Sequence, residues 1–179
     1  RRKFINNIIS QYNKDYLETL INYNKILAQR NKALKNIEKV GFSKETIEIY
    51  DFKLSNYANT IVKYRQEFFH QFIPIFRKFY ELIANNNEKV DIIYESTIVE
   101  YDMIELLKQN IEKDLILGYT TVGPHKDIIK FILNNHDIKR IGSQGQQKTF
   151  TIALKIAQYE FLKEKRKVKP IILLDDIFD

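Results

Sequence analysis

The chain has 179 residues, a formal net charge of +6 and an apolar fraction of 44%, which suits a buried core in one domain or two small lobes. It contains no cysteine, so disulfides and cysteine-ligated zinc sites are excluded, and its three histidines are scattered at 70, 125 and 136. No apolar run approaches the roughly 18 residues of a membrane helix. We therefore expect a soluble protein of the cytoplasm, without a membrane partner.

Residues 1–87 are predicted to be helical almost throughout. Apolar side chains recur at helical spacing before and after a polar interruption at 13–15, which indicates two helices. Asp15 and Glu18 match a capping box at the start of the second helix. A turn at Gly41 then leads to a third helix.

The third helix is predicted over 44–83, with Ser43 as its cap and Asn85–Asn87 after its end. Pro74 lies inside it and predicts a kink or a division. Its aromatic residues alternate with lysine and arginine, a pattern that could stack on single-stranded bases. Their helical spacing favours core packing instead. They are Tyr50, Phe52, Tyr57, Tyr64, Phe68, Phe69, Phe72, Phe76, Phe79 and Tyr80.

Shorter elements follow the third helix. The predicted order is a strand at 90–94, a helix at 98–115, strands at 120–122 and 128–133, a hairpin turn at Asn134–Asn135 and a returning strand at 138–141. The segment Gly123-Pro124-His125 lies between the predicted strands at 120–122 and 128–133. His125 could contact phosphate or relay a proton, but a histidine in such a turn more often binds nearby backbone, and we assign it no catalytic role.

The segment Gly142–Lys148 precedes a long helix that is predicted to end near residue 165. Ser143 and Gln146 form a capping box, which by itself indicates only a well-made helix start. The same serine hydroxyl and helix N-terminus also suit a terminal phosphate, and the absence of a side chain at Gly145 would let it approach the backbone. The predicted buried face consists of Phe150, Ala153, Leu154, Ala157, Phe161 and Leu162.

A basic run closes this helix. We interpret it as the solvated last turn of the helix, where cations complement the dipole, rather than as a DNA-binding surface. The net positive charge also favours nucleic acid only modestly. The run contains Lys163, Lys165, Arg166, Lys167 and Lys169.

The last nine residues, 171–179, open with an aliphatic run after Pro170, which predicts a strand buried on both faces. Asp175 and Asp176 follow it, where open α/β sheets place ligand-binding groups. Nucleotide hydrolases use such a pair to hold Mg²⁺ and to orient or deprotonate water. A solvated acidic turn is the alternative, and taken alone the strand does not decide between them.

The order of a Ser-Gln-Gly-Gln turn, a buried helix and an aliphatic strand ending in two aspartates resembles the second half of an ABC-type ATPase head. Five segments extend the resemblance to the bacterial RecF family of recombination mediators. They are Arg1–Ile5; Tyr23–Asn31, which fits Tyr-Asn-x-x-Leu-x-Gln-Arg-Asn; Val122–Asp127, which fits Val-Gly-Pro-His-Arg-Asp; Gly142–Lys148, with lysine where arginine is frequent; and Leu173–Asp176.

Two parts of the family pattern are missing. The chain contains no Gly-x-x-x-x-Gly-Lys-Ser/Thr loop, and it stops at Asp179, where the family continues. We therefore expect a fragment that lacks the Walker A lobe and the C-terminal end, and that does not bind ATP tightly alone. The predicted fold class is α+β or α/β, with a mainly helical arm lobe over 1–116 and part of a P-loop ABC-type ATPase head over 117–179.

The resemblance implies a role for each site residue. Asp175 would hold Mg²⁺ through water, and Asp176 would act as general base or as the acidic group that orients water. Ser143, Gly145 and Gln146 would contact the γ-phosphate of ATP held by the opposite subunit, and Lys148 would add positive charge beside it. The two carboxylates and the Ser-Gly turn would thus belong to two halves of a nucleotide pocket that a neighbouring molecule completes.

The resemblance also implies partners. ATP would close a homodimer on double-stranded DNA, and hydrolysis would release it. RecR and RecO would direct the intact protein to single-strand gaps, where it would help to load RecA.

Two other functions stay open. One is an SMC-like ATPase head in chromosome maintenance, although the short arm and the Gly-Pro-His segment disfavour it. The other is a non-catalytic helical interaction module, which the missing Walker A loop favours if the chain is a natural full length. The residues encoded before Arg1 would distinguish these possibilities.

Overall fold

The computed structural model describes residues 1–36, 44–84, 88–166 and 170–171. Its elements are α1 (Arg2–Tyr12), α2 (Lys14–Lys35), α3 (Lys44–Ala84), β1 (Val90–Glu95), a 3₁₀ turn (Thr97–Val99), α4 (Met103–Gln109), α5 (Ile111–Leu117), β2 (Ile128–Leu133), β3 (His136–Asp137), α6 (Ile138–Ile141) and α7 (Gln144–Arg166). The chain is therefore α+β, as predicted. No helix in the described ranges is both long and apolar enough to cross a membrane.

The three long helices agree with the sequence prediction except at their boundaries. The cap of α2 is Asn13, whose side chain accepts a hydrogen bond from the Tyr16 amide at 2.8 Å, so the predicted capping box at Asp15 is wrong. Pro74 lies inside α3 without dividing it. The predicted turn at Gly41, the cap at Ser43 and the stop at 85–87 lie outside the described residues.

The strands form one small sheet in the order β1-β2-β3. β2 and β3 pair antiparallel, with Ile132 opposite Asp137. Asn134 and Asn135 join them with φ values of 48° and 68°, the left-handed conformations of a two-residue hairpin turn, which confirms that prediction.

Three shorter predictions are wrong. The predicted strand at 120–122 is an irregular segment, and the predicted returning strand at 138–141 is the single turn α6. Asp137 ends the pairing, because its carboxylate accepts a hydrogen bond from the Lys139 amide at 2.9 Å and caps that turn. The predicted helix at 98–115 is divided into α4 and α5 at Asn110.

The chain separates into two compact units. The first contains Arg1–Glu67 and Tyr94–Ile129, and the second contains Phe68–Ile93 and Lys130–Asp179. Residues of α3 contribute to both. These boundaries differ in kind from the predicted arm lobe over 1–116 and head over 117–179, which stay a prediction.

Aromatic packing forms the core of the second unit. Phe68 stacks on Phe72 at a ring-centroid distance of 4.8 Å, and both meet the Phe161 ring edge-on. Phe76 lies 4.7 Å from Phe150, measured between centroids. These contacts support core packing over base stacking for this part of α3. The predicted face of α7 is confirmed, because all six of its apolar residues are buried.

A buried arginine organises the first unit. The Arg65 guanidinium donates to the Asp127 carboxylate at 2.5 Å and to the Pro124 carbonyl at 2.8 Å. The Tyr94 hydroxyl donates to the same Asp127 oxygen at 2.6 Å. A buried charge is tolerated only with such partners, so this cluster fixes the chain at 124–127 against α3.

Candidate functional site

The signature turn, which we define as Gly142–Lys148, connects α6 to α7. The Ser143 hydroxyl accepts a hydrogen bond from the Gln146 backbone amide at 3.2 Å. The Gln146 side-chain oxygen accepts one from the Ser143 backbone amide at 2.7 Å. The two residues therefore form the reciprocal capping box that the sequence predicts.

This cap leaves two donors of the first helical turn unused. Four backbone amides at a helix start have no partner inside the helix, and the cap satisfies those of Ser143 and Gln146. Among the described residues, the backbone amides of Gln144 and Gly145 have no acceptor. Ser143 and Gly145 are also exposed. The turn therefore offers two amides and a serine hydroxyl at the positive end of a 23-residue helix, which is suited to bind an anion.

The two glycines of the turn differ in their surroundings. A Cβ atom at Gly142 would lie 2.6 Å from the Ile138 carbonyl oxygen, so only glycine fits there. A Cβ atom at Gly145 would meet a single neighbour, the Ser143 hydroxyl oxygen, at 3.9 Å. Among the residues of the second unit that the structure describes, none therefore requires glycine at 145. A ligand or partner that approaches the turn from outside would account for it.

Both ends of the Gln146 amide are engaged within the second unit. Its oxygen serves the cap, and its nitrogen donates to a carboxylate oxygen of Glu88 at 2.6 Å. The other oxygen of Glu88 accepts a hydrogen bond from the Tyr80 hydroxyl. Glu88 lies 58 residues before Gln146 and belongs to no motif, so no local sequence pattern indicates this contact.

The structure brings Ser143, Gly145 and Gln146 onto one turn, and it places Lys148 half-buried on the next part of α7. Asp175 and Asp176 lie outside the described residues, as does the predicted terminal strand from residue 172 onward. Ile171, the first residue of that predicted strand, is described; it belongs to no strand and is exposed. In the part of the chain that the structure describes, no group of three or more histidine, aspartate or glutamate side chains could hold a metal ion. The predicted roles in binding phosphate and Mg²⁺ stay predictions.

The Gly-Pro-His segment lies in the first unit, where His125 has two fixed partners. Its Nε2 atom is 3.0 Å from the Thr120 carbonyl oxygen, and its Nδ1 atom is 2.6 Å from the Tyr23 hydroxyl. A carbonyl can only accept, so Nε2 carries the proton and the Tyr23 hydroxyl donates to Nδ1. Burial lowers the pKa of His125 below its ordinary value, which keeps the ring neutral.

Gly123 permits this arrangement. Its φ of +123° is rarely adopted by other residues, and a Cβ atom there would lie 2.7 Å from the Tyr23 hydroxyl oxygen. His125 is thus the turn residue bonded to nearby backbone that the sequence favoured.

Arg30 and Asn31, at the end of the Tyr-Asn motif, hold the same segment. The fully buried Arg30 guanidinium donates to Asp51 and to Asp114, each at 2.6 Å. Asn31 accepts a hydrogen bond from the Thr120 amide at 2.8 Å. Burial raises the pKa of Asp51, and the neighbouring Arg30 opposes that rise. The motif therefore has a structural role, which is to fix the chain from Thr120 onward against α2.

The lowered pKa of His125 predicts how stability depends on pH. The unfolded chain takes up a proton near the ordinary pKa of about 6.5, whereas the folded chain does so only at lower pH. The free energy of unfolding should therefore fall as the pH decreases from about 7 to 5, by at most about 1.4 kcal/mol per pH unit from this group. Urea titrations at several pH values between about 7 and 5 measure this free energy of unfolding.

His125→Gln should flatten this dependence, because glutamine does not titrate. His70→Gln is the matched control, since His70 is exposed on α3. An equal slope in the wild type and in His125→Gln would contradict the assignment.

The two glycines of the signature turn should respond oppositely to alanine. Gly142→Ala should lower the free energy of unfolding by about 1–3 kcal/mol, because the new methyl group overlaps the Ile138 carbonyl. Gly145→Ala should leave it unchanged or raise it by up to about 1 kcal/mol, because the site is open and helical. Chemical denaturation of both variants tests the pair, and a larger loss for Gly145→Ala would refute the open geometry.

Comparison with known proteins relates this geometry to a family. Three proteins named DNA replication and repair protein RecF match all of the chain: those of Flavobacterium johnsoniae (47% identical, 50% of that protein covered), Azobacteroides pseudotrichonymphae (46%, 49% covered) and Bacteroides thetaiotaomicron (43%, 48% covered). No family model matches the chain.

Solved structures agree with these relatives. The recombination mediator protein RecF with ATP, of the RecFOR pathway, superposes with a TM-score of 0.90 at 34% identity, covering 99% of this chain and 50% of that one. RecF with ATPrS superposes with a TM-score of 0.91, covering 98% and 50%. The predicted fold class is thereby confirmed. The predicted resemblance to the RecF family is confirmed over the whole chain, which spans about half the length of the curated relatives it matches.

Proposed function

We propose that the chain is part of a cytoplasmic DNA repair and recombination mediator, an ATPase that dimerises on DNA and helps to load a recombinase at single-strand gaps. One observation carries this proposal. The signature turn presents unused amides at Gln144 and Gly145 beside the exposed Ser143, in a chain 47% identical to a RecF protein. A turn built only to start a helix would have no reason to keep Gly145 bare.

The donors of the turn suit a terminal phosphate of ATP. The Ser143 oxygen already accepts from the Gln146 amide, so its own proton is available for a phosphate oxygen. The amides of Gln144 and Gly145 supply two further donors, and the helix dipole favours the negative charge. Gln146 contributes through the cap, and Lys148 adds positive charge on the same helix.

The phosphate would come from a second molecule. The sequence contains no Walker A loop, the segment with which P-loop ATPases bind the phosphates of ATP. The turn would therefore complete a pocket whose other half binds ATP in the opposite subunit. Such an arrangement couples ATP binding to dimer closure, because each nucleotide is fully enclosed only between two heads.

Asp175 and Asp176 would bind Mg²⁺ and activate the water that attacks ATP. Mg²⁺, when bound with ATP, offsets the charge of the phosphates. Asp175 would hold it through a water molecule. Asp176 would orient the attacking water or accept its proton.

DNA and protein partners follow from the same family. The net charge of +6 is compatible with binding the phosphates of double-stranded DNA after closure. The similar solved structures are described as part of the RecFOR pathway, which supports RecR and RecO as partners. Hydrolysis would then reopen the dimer and release the DNA.

Replacement of Ser143 tests the trans contact in the protein that carries this chain together with an ATP-binding lobe. Ser143→Arg should abolish ATP-dependent dimerisation, because the long side chain fills the space that the phosphate needs. ATP binding to each monomer should persist. Light scattering with and without ATP measures the dimer, and fluorescent nucleotide titration measures the binding.

Thr151→Arg provides the matched control. It adds the same charge to an exposed position of α7, two helical turns beyond Ser143, and should leave dimerisation intact. Normal ATP-dependent dimerisation of Ser143→Arg would refute the trans contact.

A further inference from the structure

We propose that Glu88 is a positioning residue for the signature turn, which it holds through the side chain of Gln146. Glu88 lies just before β1, outside the turn and outside every motif that the sequence shows. We call the hydrogen bond between Glu88 and the Gln146 side chain the brace. Its effect on catalysis depends on the function proposed above. The brace itself is a matter of hydrogen bonds within the second unit.

The Gln146 side-chain amide has one defined orientation. A side-chain amide has one accepting end and one donating end, and the two are distinguished only by their partners. The Ser143 backbone amide can only donate, so it selects the oxygen of Gln146. The Glu88 carboxylate can only accept, so it selects the nitrogen, at 2.6 Å. If the amide were reversed, its nitrogen would face the Ser143 backbone amide, donor against donor, and its oxygen would face the Glu88 carboxylate, acceptor against acceptor.

Glu88 is itself held in place by a second hydrogen bond. Its other carboxylate oxygen accepts a hydrogen bond from the Tyr80 hydroxyl, near the C-terminal end of α3. The Tyr80 ring is fully buried, and its centroid lies 6.1 Å from that of Phe76 and 5.9 Å from that of Phe150. Both oxygens of the carboxylate are therefore held, one by a rigid core residue and the other by the residue being positioned.

The hydrogen bond from Gln146 to Glu88 affects the exposed backbone amides at 144 and 145 through the cap of α7. Gln146 can cap the Ser143 amide only while its side chain points back along the helix start. Without Glu88 the Gln146 nitrogen loses its partner, and the side chain is free to adopt other rotamers. The Ser143 amide would then lose its acceptor, and the first turn of α7 would fray together with the donors at 144 and 145.

This arrangement separates nucleotide binding from catalysis. Glu88 does not contact the exposed donors at 144 and 145, and under the function proposed above the Walker A half of the pocket would belong to the opposite subunit. Loss of the brace should therefore lower turnover and leave the KM for ATP unchanged. A partial loss of folding would also lower the apparent kcat without changing KM, so kcat must be expressed per folded, nucleotide-binding protein, whose concentration nucleotide titration measures.

Hydrogen-exchange mass spectrometry tests the brace without nucleotide, in the protein that carries this chain. Glu88→Ala removes both acceptors and should speed exchange of the amides at 143 and 146 about tenfold, as expected for loss of a charge-assisted hydrogen bond. Glu81→Ala is the matched control, because Glu81 lines the same groove as Glu88 and is exposed. It should leave this exchange unchanged.

Conservative variants keep the test decisive if Glu88→Ala unfolds. Glu88→Gln retains one oxygen to accept from Gln146 and should speed exchange less than alanine does. Tyr80→Phe removes only the hydroxyl, keeps the buried ring, and should speed exchange in the same direction. Unchanged exchange in all three variants would overturn the brace.

ATP turnover then tests the consequence. Glu88→Ala should lower kcat about tenfold, equivalent to about 1.4 kcal/mol, with an unchanged KM, while Glu81→Ala should match the wild type. Faster exchange with normal turnover would overturn the positioning role. Failure of the trans contact is distinguishable, because it would appear as normal dimerisation of Ser143→Arg while the exchange result still held.

Discussion

The reciprocal hydrogen bonds between Ser143 and Gln146 are the interaction on which the functional account depends. A helix start has four unpartnered amides, and this cap uses two of them and leaves two exposed. Because Gln146 is itself held by Glu88, the cap is not an isolated surface feature. It connects the buried core of the second unit to the donors at Gln144 and Gly145. A rigid support of this kind is what a site needs if it must meet a ligand brought by another molecule.

The first unit is organised by a different interaction, the pairing of buried arginines with aspartates. Arg65 pairs with Asp127, and Arg30 pairs with Asp51 and Asp114. Removing one partner of such a pair leaves an unpaired buried charge, which typically costs about 3–5 kcal/mol. The motif residues of α2 therefore stabilise the segment that ends in Gly-Pro-His. Their role here is structural, which separates them from the residues proposed to act on nucleotide.

Local patterns in the sequence predicted the long helices, the Asn-Asn hairpin and the cap of α7, since each depends on residues within a few positions of one another. Two errors were local, because the Asn13 side chain caps α2 and the Asp137 side chain starts a helical turn at 138–141. Another arose where a distant side chain replaced a backbone partner. The segment at 120–122 looks like a strand, but the Thr120 amide binds Asn31, 89 residues away. The partners of Arg30 are equally remote, because Asp114 lies 84 residues later. The contact of Glu88 with Gln146 could not be predicted either, because 58 residues separate them.

The most direct test of the account is an experimental structure of the ATP-bound dimer formed by the protein that carries this chain. We expect a γ-phosphate oxygen of the nucleotide bound by one subunit to lie within about 3.2 Å of the Ser143 hydroxyl and the Gly145 amide of the other. A closed, ATP-bound dimer in which those two groups face solvent would contradict the central claim.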